Sequence, residues 1–431
     1  MKIILVDPAL EASYACPSLG LMYIAAILEE NGIDVEIVEM RFLGNLWEDL
    51  ERIISKKRPQ IVGVTSSSYN FCDAIKIASV TKKVDSQIMT VVGGSHASLI
   101  PYEVIKEPMV DIVVVGEGEY AMLDLVRVLE KRKDLRKIKG ILFKKKGIVR
   151  TRPRPLILDL DELPFPARHL VNMIEYRGLE ETTTLSSSRG CPFKCVFCAS
   201  REMSGPKVRF RSPKKVIDEV EYITKEYGFK TVSFTDDVFT LNEKRTIKFC
   251  RGFNSRGIGA EWECSTRTDL LSKQLLAVMK KAGCRAIFLG VESGCQEILD
   301  GVGKGTKIEQ TEKVVGWAKE EGIETRLSFM LGCPGDSIKT VKKTLSFARK
   351  LRKMGAHTIT FNLLKAYPGT EIFLDPDKFG ITFIDKDWGK RHGAPLIPTC
   401  ETNLLSMQNR NYVAWIAGEL ERHWNTSEMS I

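Results

Sequence analysis

The chain has 431 residues and a formal net charge of +9 at pH 7, and 43% of its residues are hydrophobic and 28% charged. The length suggests two domains. The hydrophobic and charged proportions are typical of an ordinary soluble globular protein. No apolar run reaches membrane-spanning length, and the first residues form a strand pattern instead of a signal peptide. We therefore expect a cytoplasmic protein without a membrane partner. The cysteine count of eleven is odd, which favours a reducing compartment over a disulfide framework.

Basic runs at residues 131–139 and 342–353 carry much of the positive charge. Such runs on helices are usually solvated faces, so nucleic acid is a minor alternative as a partner. An anionic cofactor or an acidic protein substrate also suits this balance.

Strand and helix patterns alternate through the first third of the chain. Strands are predicted at residues 2–7, 35–38, 61–65, 88–92 and 111–115, and helices at 19–31, 74–84 and 120–131. Continuous apolar strands that alternate with helices indicate a parallel sheet covered on both faces. We therefore predict an α/β, doubly wound, Rossmann-like domain over residues 1–138.

Small and polar residues follow three of these strands, at the sheet edge where open parallel sheets bind ligands. The candidate binding residues are Ser66, Ser67, Gly93, Gly94, His96, Gly116, Glu117 and Gly118. Such strand ends leave room for a large planar or phosphate-bearing ligand. A plain nucleotide stays open as an alternative, although the chain has neither G-x-G-x-x-G after the first strand nor a P-loop motif.

Residues 139–183 have the pattern of a connector. A predicted hairpin at 141–149 is followed by prolines at positions 153, 155, 164 and 166. Prolines at this density indicate a stiff linker between two domains.

Three cysteines follow the next predicted strand, at residues 184–186. Cys191, Cys195 and Cys198 have the spacing C-x3-C-x2-C. Three thiolates on one loop can hold three irons of a cubane cluster, and without a fourth cysteine nearby the fourth iron would be open to a substrate. The alternatives are a structural zinc site or half of a disulfide framework, but the next cysteine, Cys250, lies far downstream.

Strand and helix pairs continue after the cysteines. Strands are predicted at residues 231–235, 261–264, 286–289, 324–329 and 358–362, and helices at 216–227, 244–256, 271–282, 308–320 and 338–354. Together with the strand at 184–186 they suit a partial (β/α)6 barrel over residues 184–375. Residues 376–431 are predicted to form a small C-terminal cap with a helix at 406–423, and this stretch contains Trp388, His392, Cys400, Trp415 and Trp424.

Catalytic groups in such a barrel belong at the carboxyl ends of the strands. The candidates there are Asp236, Ser265, Arg267, Glu292 and Tyr367. Arg267 suits a bidentate bond to a carboxylate, with a surface salt bridge as its alternative. Glu292 suits ribose hydroxyls, as acids do in other nucleoside sites. Tyr367 suits a substrate cavity or the quenching of a radical, with a packed ring as the alternative.

The pattern C-x3-C-x-aromatic-C resembles the signature of the radical S-adenosylmethionine (SAM) enzymes, whose open iron chelates the amino and carboxylate groups of SAM. The chain also has Pro-x-Leu-Gly at 17–20, Gly-Gly-x-His at 93–96 and Gly-Glu-Gly-Glu at 116–119. In this order the motifs resemble the cobalamin-binding radical SAM group over residues 1–375. The resemblance implies a 4Fe-4S cluster, SAM and cobalamin as cofactors, with the first domain binding cobalamin.

The same resemblance implies roles for several side chains. Asp236, Ser265 and Arg267 would contact the amino and carboxylate ends of SAM, and Glu292 its ribose. The D-x-H-x-x-G motif of other cobalamin proteins is absent. Cobalt would therefore lack a histidine ligand, and His96 would line the cobalamin site from a loop, or would be an ordinary turn residue.

The implied activity is C-methylation of an unactivated sp3 carbon through a 5′-deoxyadenosyl radical and methylcobalamin. It requires an external electron donor of the ferredoxin or flavodoxin type. The chain is also similar to archaeal enzymes that methylate a residue of methyl-coenzyme M reductase, such as a glutamine, which suggests a protein substrate. A cobalamin-dependent cyclase or rearrangement enzyme is one alternative, and a non-catalytic cobalamin- or SAM-binding regulator is another.

Overall fold

A computed structural model describes residues 1–8, 16–383 and 400–402 of the chain. The predicted helix at 406–423 lies outside the described residues, as do the side chains of Trp388, His392, Cys400, Trp415 and Trp424. Two compact units are present: the first is built mainly from Met1–Glu181, and the second begins at Thr182 and leaves out Glu202–Gly205, which belong to the first. Within the described ranges, no helix has the length and apolar character needed to cross a membrane.

The first unit contains a mixed sheet of seven strands. The strands are β1 (Lys2–Asp7), β2 (Asp34–Glu39), β3 (Ile61–Thr65), β4 (Met89–Gly93), β5 (Ile112–Val114), β6 (Ile141–Lys144) and β7 (Ile148–Arg150). Their order is β2-β1-β3-β4-β5-β6-β7. The pairs from β2 to β5 are parallel, and β6 and β7 are antiparallel.

Helices cover both faces of this sheet. They are α1 (Leu19–Glu30), α2 (Leu46–Lys57), α3 (Phe71–Val84), α4 (Gly94–Leu99), α5 (Pro101–Lys106), α6 (Glu119–Glu130) and α7 (Met173–Leu179). Ile3 of β1 packs in a core with α1 and α6, whereas its neighbour Ile4 packs in a second core with α2 and α3. Successive strand residues therefore enter opposite cores, which confirms the predicted doubly wound arrangement.

Three elements of the first unit differ from the sequence-based expectation. The sequence pattern did not indicate α2, because only Leu50 and Ile54 of this charged helix are buried. The turn expected after β4 is the helix α4, which begins directly at the strand end. The hairpin assigned to the connector pairs with β5 and so extends the sheet.

The second unit contains a sheet of six parallel strands, in agreement with the predicted partial barrel. Its strands are β8 (Thr182–Leu185), β11 (Thr231–Phe234), β12 (Glu261–Thr266), β13 (Cys284–Glu292), β14 (Glu324–Leu331) and β15 (Thr358–Leu363). Their order is β15-β14-β13-β12-β11-β8. Two small ribbons accompany them: β9 (Ser188–Arg189) with β10 (Arg209–Phe210), and β16 (Ile381–Phe383) with β17 (Cys400–Thr402).

The short helix α8 (Ser200–Ser204) lies between β9 and β10, and its residues from Glu202 onwards belong to the first unit. Successive strands of the six-stranded sheet are connected by α9 (Pro213–Tyr222), α10 (Glu243–Arg256), α11 (Lys273–Lys281), α12 (Gln296–Gly301), α13 (Ile308–Glu321) and α14 (Ile338–Met354), and α15 (Glu371–Leu374) follows β15. Trp262 of β12 is fully buried and lies 5.5 Å from the ring of Phe249 on α10. The sheet face that carries Trp262 is therefore the outer face, packed on helices, and the opposite face is called the inner face below.

Gly94 offers a direct test of how closely the carboxyl ends of β3 and β4 pack together. Its φ is +91°, and a Cβ there would lie 2.5 Å from the backbone oxygen of Ser66. We expect Gly94→Ala to lower the free energy of unfolding by more than about 2 kcal/mol, because both the backbone conformation and the close approach forbid a side chain.

Gly20→Ala is the matched control, since a Cβ at this helical position has nothing within 4 Å. We expect this change to stabilise the first unit by up to about 1 kcal/mol. Urea denaturation followed by circular dichroism measures the free energy of unfolding of both variants. Equal values for the two would contradict the positive φ and the close backbone approach at Gly94.

Candidate active site

The three motif cysteines lie on one loop that follows β8 and β9. All three are free thiols; Cys191 is buried, and Cys195 and Cys198 are half-buried. The Cys198 amide donates to the Cys195 carbonyl at 3.0 Å, and its thiol lies 3.4 Å from the Ser200 hydroxyl. The loop therefore returns on itself and brings the last two cysteines close together.

The electrostatics of this loop favour a positively charged centre between the thiols. Burial raises the pKa of Cys191, and the charges of Asp237 and the other two thiols raise it further. Burial also raises the pKa of Cys195, although Lys304 and Arg267 act in the opposite direction. Because ionised thiols here would repel one another, iron bound between them would remove the cost of ionisation.

Three thiols on a folded, partly shielded loop fit an iron-sulfur cubane, which needs one thiolate for each of three irons. In the described part of the chain, no group of three or more His, Cys, Asp or Glu side chains is arranged to hold a single metal ion.

Asp236 anchors the start of the cysteine loop. Its carboxylate accepts hydrogen bonds from the Ser187 amide at 2.7 Å, the Ser187 hydroxyl at 2.6 Å and the Ser188 hydroxyl at 2.5 Å. The residue is only 2% exposed. The structure thus gives Asp236 partners within the protein, whereas the sequence places it beside the amino group of SAM.

Arg267 holds the middle of the same loop. Its guanidinium donates to both carboxylate oxygens of Asp269, at 2.9 and 3.0 Å, and to the Lys304 carbonyl at 2.6 Å. It also lies 3.6 Å from the ring centre of Phe193, which stands between Cys191 and Cys195. Asp269 therefore accepts the two guanidinium hydrogen bonds of Arg267 that the family resemblance assigns to the carboxylate of SAM.

Glu292 and Lys304 form a buried ion pair of 2.8 Å at the carboxyl end of β13. Glu292 has a φ of +64°, an uncommon value for a residue with a side chain. Strained backbone of this kind collects at functional sites. Lys304 was missed by the sequence analysis, and the only local signal for it is its place between two glycines in Gly303-Lys304-Gly305.

The remaining predicted residues of this unit lie at the ends of β12 and β15. Ser265 is half-exposed on the inner face. Tyr367 is half-buried, and its carbonyl accepts from the Thr370 hydroxyl at 2.6 Å. Lys365, which the sequence analysis also missed, is buried, and this burial lowers its pKa to about 8.

In the first unit, the carboxyl ends of β3, β4 and β5 meet at one edge of the sheet. The Ser66 hydroxyl donates to the Gly93 carbonyl at 2.8 Å. Ser98 of α4 accepts from the Gly116 amide at 3.0 Å and donates to the Gly94 carbonyl at 2.7 Å. The predicted Ser66, Gly93, Gly94 and Gly116 are thereby brought together, and Gly116 leaves open space at its Cα for a ligand.

The other predicted residues of this edge contact the protein itself. The Ser67 amide and hydroxyl both bond to the Asn70 side chain, at 2.6 and 3.0 Å. Glu117 accepts from the Ile157 amide at 2.7 Å, so it holds the segment after β7. Gly118 permits a close approach of Ile24, whose side chain would lie 2.9 Å from a Cβ there.

His96 does not lie on a loop, as the sequence predicts, but in α4. It is fully buried, its Nδ1 lies 2.9 Å from the Ser68 hydroxyl, and its ring lies 4.4 Å from that of Phe71. Burial lowers its pKa to about 4, so the ring is neutral at pH 7. The expected loop position is therefore wrong, because the ring packs on Phe71 from a helix, and the place of His96 in the cobalamin site stays a prediction.

Comparison with known proteins identifies similar families for both units. A family model described as a B12 binding domain matches residues 7–126, and one described as the radical SAM superfamily matches residues 185–348. These matches cover the two parts of the chain that the cobalamin and cysteine motifs marked.

Two relatives of this chain are named for different activities. An uncharacterised methyltransferase of Pyrococcus horikoshii is 36% identical over 383 residues, with 86% of this chain and 82% of the relative covered. The anaerobic magnesium-protoporphyrin IX monomethyl ester cyclase of Rubrivivax gelatinosus is 32% identical, with 77% of this chain and 62% of the relative covered.

A solved structure shares the fold. The radical SAM methyltransferase TsrM of Kitasatospora setae, determined with cobalamin and a [4Fe-4S] cluster bound, aligns with a TM-score of 0.77 at 20% identity. The alignment covers 96% of this chain and 81% of TsrM. The likeness confirms the α/β class with a Rossmann-like unit and a barrel-type unit.

Arg267 is expected to be a positioning residue for the cysteine loop. Arg267→Leu breaks a buried ion pair and the stacking on Phe193, and such a loss typically costs about 3–5 kcal/mol locally. We expect iron per chain after anaerobic reconstitution to fall at least several-fold and Arg267→Lys to restore it only in part, because lysine lacks the planar fork.

The control for this experiment is Arg256→Leu, which breaks surface pairs with Asp218 and Glu221 on α9. It should keep the full iron content, because exposed pairs contribute little. Normal iron loading in Arg267→Leu would show that the loop holds its shape without this contact.

His96 is expected not to bind cobalt. The electron paramagnetic resonance spectrum of the protein loaded with cob(II)alamin should lack hyperfine splitting from a histidine nitrogen, and His96→Gln should leave the spectrum unchanged. Because the folded pKa lies below that of free histidine, protonation of His96 should also destabilise the first unit as the pH falls from 6.5 towards 4. Histidine splitting that disappears in the variant would contradict the buried position.

Proposed function

We propose that this chain, which belongs to the B12-binding radical SAM enzymes and is a cobalamin-dependent methyltransferase, methylates an unactivated sp3 carbon of its substrate. The observation that carries the proposal is the loop of three free thiols that Asp236 and Arg267 hold in place. Its cofactors are a 4Fe-4S cluster, SAM and cobalamin, and an external electron donor supplies electrons. We propose a ferredoxin or flavodoxin as that donor.

When bound, the cluster and SAM supply a 5′-deoxyadenosyl radical, and cobalamin supplies the methyl group. The thiolates of Cys191, Cys195 and Cys198 would ligate three irons and leave the fourth for SAM. Val196 of this loop belongs to an apolar cluster, and Phe197 packs against the same cluster, so we propose that Phe197 shields the site from water. The protein thus positions the reacting groups and excludes solvent.

The side chains around the loop are proposed to bind SAM in a manner that differs from the motif-based roles. The Glu292–Lys304 pair lies beside Cys195, whose pKa both groups influence. A carboxylate and an ammonium this close suit the two polar ends of a SAM molecule, or its ribose. Arg267 and Asp236 do not bind SAM in this proposal, and they act instead by holding the cysteine loop in place.

As substrate we propose a protein residue, with a glutamine of methyl-coenzyme M reductase as the specific hypothesis. Its support is the sequence resemblance to the archaeal enzymes that modify that protein.

A cyclase is the second candidate function. The 32% identity to the magnesium-protoporphyrin ester cyclase over 345 residues favours it specifically. The two functions differ in the fate of the methyl group, because a cyclase leaves the product without an added carbon.

The experiment is anaerobic reconstitution with iron, sulfide and cobalamin, followed by incubation with SAM and a low-potential reductant. A methyltransferase should form both 5′-deoxyadenosine and S-adenosylhomocysteine, and Cys198→Ala should abolish the first product. Cys250→Ala, which alters a buried cysteine on α10 outside the motif, is the matched control. Formation of 5′-deoxyadenosine without any S-adenosylhomocysteine would select the cyclase, and absence of both would refute the proposal.

The substrate is tested by mass spectrometry of proteins from the organism with and without this gene. We expect one peptide to lose the mass of a CH2 group in the mutant. No such difference in any protein would contradict a protein substrate.

A further inference from the structure

The helix α14 carries a strong charge of one sign, because it contains seven basic residues and no acidic one. Its lysines are all exposed, and they lie on the side of the helix opposite the buried residues Val341, Leu345 and Ala348. We call this row the lysine stripe, and its members are Lys339, Lys342, Lys343, Lys350 and Lys353.

Little negative charge faces the lysine stripe. Glu312 of the neighbouring helix α13 pairs with Lys350 at 2.5 Å, and Lys319 of α13 lies against Gly355 at the end of α14. Asp336, directly before α14, is only 2% exposed and accepts hydrogen bonds from backbone amides of its own loop. In the part of the chain that the structure describes, no ion pair holds the other four lysines of the stripe. The stripe therefore presents positive charge at the surface.

This arrangement of charge does not stabilise the helix itself. The first turn of α14 contains Lys339 and no acidic residue, although the helix dipole favours negative charge at this end. Lys339 lies three and four positions before Lys342 and Lys343, so like charges repel one another along the stripe. Side chains that break a local rule without a compensating contact in the fold are expected at functional surfaces.

The buried side of α14 packs on the end of β13. Thr344 accepts a hydrogen bond from the Gly294 amide at 3.0 Å, and a Cβ at Gly294 would lie 3.1 Å from the backbone oxygen of Lys343. Gly294 follows Glu292 by two residues, and Glu292 is close enough for its charge to influence the Cys195 thiol. Only the diameter of one helix, about 10 Å, therefore separates the lysine stripe from the end of β13.

The loop that leads into α14 also contacts the cysteine loop. Cys333 of this loop is fully buried and belongs to the same apolar cluster as Val196, which stands between Cys195 and Phe197. The start of α14 and the cysteine loop are thus parts of one packed region. Because electron transfer slows steeply with distance, a surface this near to the cysteines suits a partner that delivers electrons.

We propose that the lysine stripe is the docking surface for a small acidic electron-transfer protein that reduces the cluster. This inference rests on the proposed function and gives the binding surface of its electron donor. One electron leaves the donor, which is oxidised, and enters the 4Fe-4S cluster, which is reduced, and no bond forms or breaks. Encounters of this kind bury little area and are steered by charge.

The main measurement is the rate of cluster reduction in the anaerobically reconstituted holoenzyme. Stopped-flow absorbance follows this rate after mixing with a reduced acidic ferredoxin, or with dithionite, a small reductant that needs no docking surface. We expect the rate constant with ferredoxin to fall several-fold when the salt concentration rises from about 0.05 to about 0.5 M, because ions screen the attraction.

Removal of charge from the stripe makes the expectation specific. Lys339→Gln/Lys342→Gln/Lys343→Gln should lower the rate constant with ferredoxin about ten-fold at low salt, because steering by charge is lost. The rate with dithionite should stay unchanged in this variant.

The matched control removes the same charge from the basic run of the first unit. Lys131→Gln/Lys133→Gln/Lys139→Gln alters three exposed lysines and should keep the rate constant with ferredoxin. A general effect of net charge would slow both variants equally.

A second measurement does not depend on the cluster. A carbodiimide joins lysine amines directly to carboxylates, and mass spectrometry locates the linked residues. We expect it to link ferredoxin to Lys339, Lys342 or Lys343, and links confined to other lysines would overturn the inference.

The outcomes separate the docking surface from the proposed function. Slower reduction by ferredoxin in the stripe variant alone supports the inference, even if no 5′-deoxyadenosine forms and the proposed function fails. Equal rates in all three proteins, or equal slowing of both variants, overturn the inference, while product formation with dithionite leaves the proposed function intact. Binding of fluorescent single-stranded RNA that the stripe variant loses, with unchanged reduction by ferredoxin, overturns the inference in favour of a nucleic-acid partner.

Discussion

The placement of one short loop is the constraint on which the rest of the second unit depends. Its three thiols must be held close enough together to share one cluster, although thiolates at such close range repel one another. Asp236 fixes the start of the loop through Ser187 and Ser188, and Arg267 fixes its middle through Phe193. Both side chains come from strand ends of the sheet, so the fold itself sets the geometry of the metal site.

The two units use parallel sheets in different ways. The first sheet buries both faces, and we propose that it binds cobalamin at the edge where β3, β4 and β5 end, where Gly94 lets the ends of β3 and β4 pack closely and Gly116 has open space around it. The second sheet packs one face on helices and leaves a polar inner face. An edge site suits a large rigid cofactor, whereas an inner face suits the substrate whose carbon must be held near the radical.

Much of this architecture could be predicted from the sequence, because local patterns carry it. The bounds of β3 (Ile61–Thr65) and α14 (Ile338–Met354) agree with the predicted ranges to the residue, and the cysteine spacing marked the metal loop. The contacts of side chains were not predictable in the same way. Arg267 lies two residues before Asp269, and the sequence alone cannot decide whether the Arg267 guanidinium donates to that neighbour or to a ligand. His96 and Lys304 are buried by residues distant in the chain, and no local sequence pattern indicates such contacts.

The most direct test of the central claim is the electron paramagnetic resonance spectrum of the anaerobically reconstituted, reduced protein with and without SAM. If the cysteine loop leaves one iron open, the signal of the reduced cluster should change on addition of SAM, and the change should be absent with 5′-methylthioadenosine, which lacks the amino and carboxylate groups that would bind that iron. A colourless protein with no cluster signal, or a signal that SAM leaves unchanged, would contradict the account.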